Sequence, residues 1–149
     1  MRIKVLATVT ALFFMGTAVA DLEVYKDYDI SDAVWSVTTV KVDSNMGDAY
    51  LEGLRHTWAA GNEVSVKLGH MESYTIFVSD QPASGEFNML LLVKFANTSD
   101  LAPNKERYEA FMKEWGKARS KESTEFAQKN YPGMRTITGE YNFREVKFK

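Results

Sequence analysis

Residues 87–95 read Phe-Asn-Met-Leu-Leu-Leu-Val-Lys-Phe. Side chains alternate between the two faces of a strand. Phe87, Met89, Leu91, Val93 and Phe95 therefore make one wholly apolar face. The other face carries Leu90 and Leu92 between Asn88 and Lys94. A strand apolar on both faces is covered on both faces. In a chain of 149 residues, helices suffice for one of them. A second copy of the same sheet is the expected cover for the other.

The flanking segments place this strand within a domain. Residues 70–80 alternate, with Tyr74, Ile76 and Val78 in one phase. Gln81-Pro82-Ala83-Ser84-Gly85 is turn chemistry, so residues 70–95 read as a hairpin with a loop of about five residues. Upstream, residues 34–42 are rich in valine, threonine and tryptophan, the composition of a strand. Asp43, Ser44 and Asn45 supply N-cap oxygens, and Asn45 with Asp48 resembles a capping box. Tyr50, Leu51, Leu54, Trp58, Val64 and Leu68 recur at helical steps over residues 46–68, and Gly69 closes that helix. Downstream, residues 105–119 form an amphipathic helix with Tyr108, Phe111, Met112, Trp115 and Ala118 on one stripe. Residues 121–131 continue as helix to Pro132-Gly133. Residues 134–148 are the last strand. Ile137, Tyr141 and Phe143 hold one phase and Val146 and Phe148 the other, which predicts a bend near Arg144-Glu145.

The order is β-α-β-β-α-β. The fold class is therefore α+β, ferredoxin-like, with an antiparallel sheet and helices on one face. This single domain spans residues 34–149. Residues 21–33, with Asp21, Glu23, Asp27, Asp29 and Asp32, form an acidic leader segment. Residues 1–20 have the layout of a secretory signal peptide. Arg2 and Lys4 precede an uncharged run over 5–17, and Ala18-Val19-Ala20 presents small residues before Asp21. The apolar run is shorter than the roughly 20 residues of a spanning helix. A bacterial periplasmic or secreted protein, with no membrane span after cleavage, is expected.

Charge and composition exclude several classes. Cleavage leaves 129 of the 149 residues, with 16 basic and 20 acidic side chains. An acidic chain without a basic run does not track nucleic-acid phosphates. The absence of cysteine removes thiol and zinc-thiolate chemistry. There is no phosphate-cradling glycine loop, dinucleotide fingerprint, Gly-x-Ser-x-Gly or His-Glu-x-x-His. No cofactor is expected.

The element order and the two-faced third strand resemble the dimeric α/β-barrel group. That group includes the antibiotic-biosynthesis-type monooxygenases. The resemblance implies a homodimer with sheet packed on sheet, helices outside, and ligand pockets between helices and sheet. Residues 47–54 and 137–141 resemble parts of an uncharacterised secreted bacterial branch. Heme-degrading members of the group use an Asn, a Trp and a His in one pocket. The resemblance assigns those roles to no position of this chain.

Several residues are candidates on their own chemistry. Asp48, Glu52 and His56 stand at i, i+4 and i+8 on one helix stripe, a ligand spacing for a divalent metal. The alternative is a solvated face with a weak Glu52–His56 pair, and no metal is expected. His70 opens the second strand, in phase with Glu72, Tyr74 and Ile76. It is a candidate general base or axial ligand, or a partner for a helix C-terminal carbonyl. Trp35, Trp58, Tyr74, Trp115 and Tyr141 are candidates to line an apolar pocket for a small apolar or aromatic ligand. Asn88 is the odd polar residue on a leucine-rich strand, bonding across the dimer or facing the ligand. The function expected is a homodimeric binding or interaction module. The alternative is a cofactor-independent monooxygenase-like or heme-handling enzyme, in which replacing His70 abolishes turnover.

Overall fold

The computed structural model describes residues 21–149. The signal-peptide reading of residues 1–20 lies outside the described residues. The elements run β1 (Tyr28–Ile30), β2 (Val34–Val42), α1 (Gly47–Leu54), a π-helical turn (Arg55–Ala59) and α2 (Ala60–Lys67). They continue as β3 (Ser73–Val78), β4 (Met89–Phe95), a short 3-10 turn (Thr98–Leu101), α3 (Lys105–Trp115) and α4 (Lys117–Asn130). A second 3-10 turn (Tyr131–Gly133) then leads into β5 (Arg135–Phe143) and β6 (Val146–Phe148).

The main sheet is antiparallel in the order β3-β4-β2-β5. With a helical connection after its first and third strands, this is the ferredoxin-like fold. The helices cover one face. There Val40, Val42, Met89 and Leu91 of the sheet pack against Tyr50, Leu54 and Tyr131. Tyr50 and Leu54 are among the most deeply buried side chains. Both come from the helical stripe legible in the sequence.

The other face is open, and the strand register lays out its rows. Phe77, Leu90, Thr39 and Gly139 form one row. Thr75, Leu92, Val37 and Tyr141 form the next, and Ser73, Lys94, Trp35 and Phe143 the third. Leu90 and Leu92 thus turn away from the helices, as the strand pattern requires. Phe77, Tyr141 and Phe143 are each more than half exposed on this face.

The structure departs from the sequence reading at several places. The β3–β4 connection spans residues 79–88, longer than the turn expected. Lys41 Nζ pins it, donating to the carbonyls of Pro82 at 3.1 Å and Gly85 at 3.0 Å. Phe87 falls in this loop and is exposed rather than on the apolar face. The α1 N-cap is Met46, without a side-chain cap, so Asn45 and Asp48 form no capping box. Asn45 instead adopts a left-handed conformation at φ 66°, which asparagine tolerates better than most residues. The helix expected over 105–119 breaks at Gly116, whose φ of 86° suits glycine. Tyr108, expected on the apolar stripe, is exposed. Finally, β5 pairs with β2 through a bulge between Thr39 and Val40 that leaves Thr138 extra. The bulge turns Ile137 onto the helix-side face, opposite Tyr141 and Phe143. The bend expected at Arg144-Glu145 is present, between β5 and β6.

Residues 21–33 are tied to the chain's other end. β1 pairs antiparallel with β6, and Tyr28 meets Phe148 edge-on at 6.3 Å. Arg144 Nη1 donates to the carbonyl of Ser31 at 2.7 Å and anchors the ribbon's base.

Candidate functional site

A cleft of about 510 Å³ opens in the helical layer. Its floor is the π-helical turn and α2 and its opposite wall α4, with Trp115 before the start of α4 and Tyr131 and Arg135 beyond its end. The π turn widens the backbone where the cleft lies, and such turns recur at functional sites. Gly53 and Thr57 let the second wall approach. A Cβ on Gly53 would sit 2.9 Å from both the Phe126 and Tyr131 rings. Thr57 Oγ1 donates to the Gly53 carbonyl at 2.9 Å and also bonds the Tyr131 hydroxyl. At Gly116 the chain turns from α3 into α4. Trp115 lies there stacked on Phe111 at 6.0 Å, with the Arg119 guanidinium 4.1 Å over its ring.

The cleft is aromatic but not polar-neutral. Trp58, Phe111, Trp115 and Tyr131 supply the apolar walls. Among the described residues, Arg135 is the one charged residue in its lining. Its guanidinium lies 5.6 Å over the Tyr131 ring. Arg135 Nε and Asn62 Nδ2 are buried donors with no hydrogen-bond partner among the described residues. An unpaired buried polar group costs about 1–3 kcal/mol.

The same corner shifts the tyrosines. Burial pushes the Tyr50 phenol above its ordinary pKa, and the adjacent Arg135 partly opposes this. Burial likewise raises Tyr131, against its hydrogen bond with Thr57. Tyr74 is raised by burial and then by Glu63, whose Oε1 accepts from its hydroxyl at 3.0 Å. An unfolded tyrosine titrates near pH 10. The folded state therefore holds these protons after the unfolded chain has lost them. Their contribution to stability is complete below about pH 10 and falls as pH rises toward the folded values. Urea unfolding at stepped alkaline pH is expected to show this decline, and Tyr50→Phe to make it shallower.

The sequence candidates separate into five places. Trp58 and Trp115 line the cleft, and Tyr74 packs edge-on against Trp58 at 5.5 Å. Trp35 and Tyr141 lie on the open sheet face. Lys94 Nζ stands 5.8 Å over the Trp35 ring. Asn88 serves the backbone. Its Oδ1 accepts the Val42 N–H at 2.7 Å, and its Nδ2 donates to the carbonyls of Val42 at 2.8 Å and Pro82 at 3.1 Å.

His70 precedes β3 rather than opening it, so it shares no strand face with Tyr74 and Ile76. Its backbone N–H donates to the Ser65 carbonyl at 2.8 Å and closes the end of α2. His70 borders a smaller hollow of about 210 Å³ with Arg107 and Tyr108. Ser65 and Phe111 line both this hollow and the main cleft. Glu52 and His56 form an exposed pair at 2.8 Å, and the hydrogen bond from His56 holds the Glu52 carboxyl below its usual range. Arg55 takes the second Glu52 oxygen at 3.5 Å. Among the described residues no group of three His, Asp or Glu side chains is placed to hold a metal.

Reading the sequence alone misses Thr57, Asn62, Tyr131 and Arg135. One signal was available. Gly53, Thr57 and Gly61 stand four apart, a stripe of small residues on which another element can press closely.

No protein-family model matches the chain, and no curated protein matches it. Solved structures do match its fold. A Shewanella oneidensis protein is 14% identical, with a TM-score of 0.48 over 81% of this chain and 99% of that one. A Bacteroides fragilis structure, described as a dimeric protein of unknown function with a ferredoxin-like fold, is 10% identical. Its TM-score is 0.42 over 81% of this chain and 100% of that one. A dimeric ferredoxin-like protein from an uncultured marine organism is 12% identical, with a TM-score of 0.42 over 80% and 90% of the two chains.

Proposed function

We propose that this chain is a homodimeric binding module of the bacterial periplasm or exterior. Its second copy covers the open sheet face, and its helical layer holds a small ligand in the aromatic cleft. The observation that carries this reading is the composition of the open face. Leu90, Leu92, Val37 and Trp35 occupy its centre, with Phe77, Tyr141 and Phe143 around them. Phe77, Tyr141 and Phe143 are each more than half exposed around a centre that is half-buried or, at Val37, buried, and exposed apolar side chains clustered in this way mark an association site.

Its charges suit a second copy. Lys94 pairs with Glu72 at 2.7 Å, and Lys41 is spent on the loop carbonyls. In a two-fold contact each patch meets itself. An unneutralised lysine row would then repel its own image, and internal pairing removes that repulsion. The helices lie on the far side of the sheet, so the cleft stays open in such a dimer. The layout of residues 1–20 supports export.

Native mass spectrometry on protein purified gently from its own compartment tests the reading. The expected result is a dimer of processed chains with a reproducible extra mass. A monomer that retains nothing would overturn it.

A further inference from the structure

We infer that the cleft selects a small planar aromatic anion, such as an aromatic carboxylate, over its neutral counterpart. This rests on the proposed binding role and names the ligand class. Trp58 from the π turn and Phe111 from α3 provide apolar walls. The ring of a ligand gains from both burial and stacking against such walls. The polar side of the cleft is one-sided. Its unpartnered buried groups, Asn62 Nδ2 and Arg135 Nε, are both donors. None of the ion pairs of the described residues includes Arg135. Among the described residues no Asp or Glu lines the cleft. A ligand that carries negative charge meets the Arg135 cation and no carboxylate among the described residues of the lining.

The test uses two fluorescent dyes of the same build, anionic anilinonaphthalene sulfonate and neutral phenylnaphthylamine. Both are titrated into the processed protein and its variants, with folding checked by circular dichroism. Gly61→Leu fills the cleft beside Phe111 and is expected to abolish binding of both dyes. Arg135→Met is expected to weaken the anionic dye about ten- to hundredfold, the range for a hydrogen bond to a charged group. The neutral dye should stay within about twofold. Arg135→Gln gives a second variant if Arg135→Met does not fold, with the same selectivity expected. Equal loss of both dyes on Arg135→Met or Arg135→Gln, with Gly61→Leu abolishing both, would overturn the anion preference and leave the cleft. Indifference of both dyes to Gly61→Leu would place them elsewhere and overturn the cleft reading as well.

Discussion

Replacing Asn88 with leucine is expected to destabilise the protein by about 3–4 kcal/mol, although the two side chains have similar volume. The amide acts as a piece of strand. It accepts from the Val42 N–H and donates to the Val42 and Pro82 carbonyls. The residue is 8% exposed, so water does not replace those bonds. Leucine leaves the Val42 groups buried and unpaired. It also frees the 79–88 loop from one of its two anchors, the other being Lys41. Asn88→Asp is expected to be no rescue. It keeps the acceptor for the Val42 N–H but turns a carboxylate oxygen toward the Val42 carbonyl, in a site that disfavours charge. Urea unfolding measures both variants. A loss below about 1 kcal/mol for Asn88→Leu would mean that the backbone finds other partners.

Leu92→Glu is expected to raise the dimer dissociation constant at least a hundredfold, about 2.8 kcal/mol. Leu92 sits between Thr75 and Val37 in the middle row of the open face. A two-fold contact brings a central residue close to its own copy. The substitution would bury two carboxylates near each other, without a free cation on that face to pair them. On the isolated chain the same change is mild, because the side chain points away from the helix-packed core. Concentration-dependent sedimentation should therefore shift to monomer while the circular dichroism spectrum is unchanged. A stable, unaltered dimer would place the interface elsewhere.

The part of the fold that was legible is the part governed by short periods. Residues 89–95 carry their two apolar faces in an unbroken alternation, and both faces fall where that alternation puts them. Tyr50 and Leu54 were legible for the same reason, as neighbours on one helical stripe. What escaped depends on partners distant in sequence or on single-residue irregularities. Nothing local shows that Asn88 will bracket Val42, which lies 46 residues away. The extra residue at Thr138 reverses the phase of Ile137, and strict alternation cannot anticipate it. Gly116 splits an amphipathic pattern that otherwise continues through it.

The site was half legible. Trp58 and Trp115 were singled out for their surface area and do meet in one cleft. Trp35 and Tyr141 were grouped with them by type and stand on the other side of the sheet. Arg135 and Asn62 passed unnoticed because an arginine at a strand start and an asparagine in a helix read as surface residues. Only the packing of α4 against the π turn makes them interior.

The central claim is that a second copy covers the open sheet face. Sedimentation equilibrium on residues 21–149 tests it most directly, across a wide concentration range at physiological salt. The account predicts twice the chain mass throughout, and a return to single-chain mass for Leu92→Glu. A single-chain mass for the unaltered protein at the highest concentrations would contradict it.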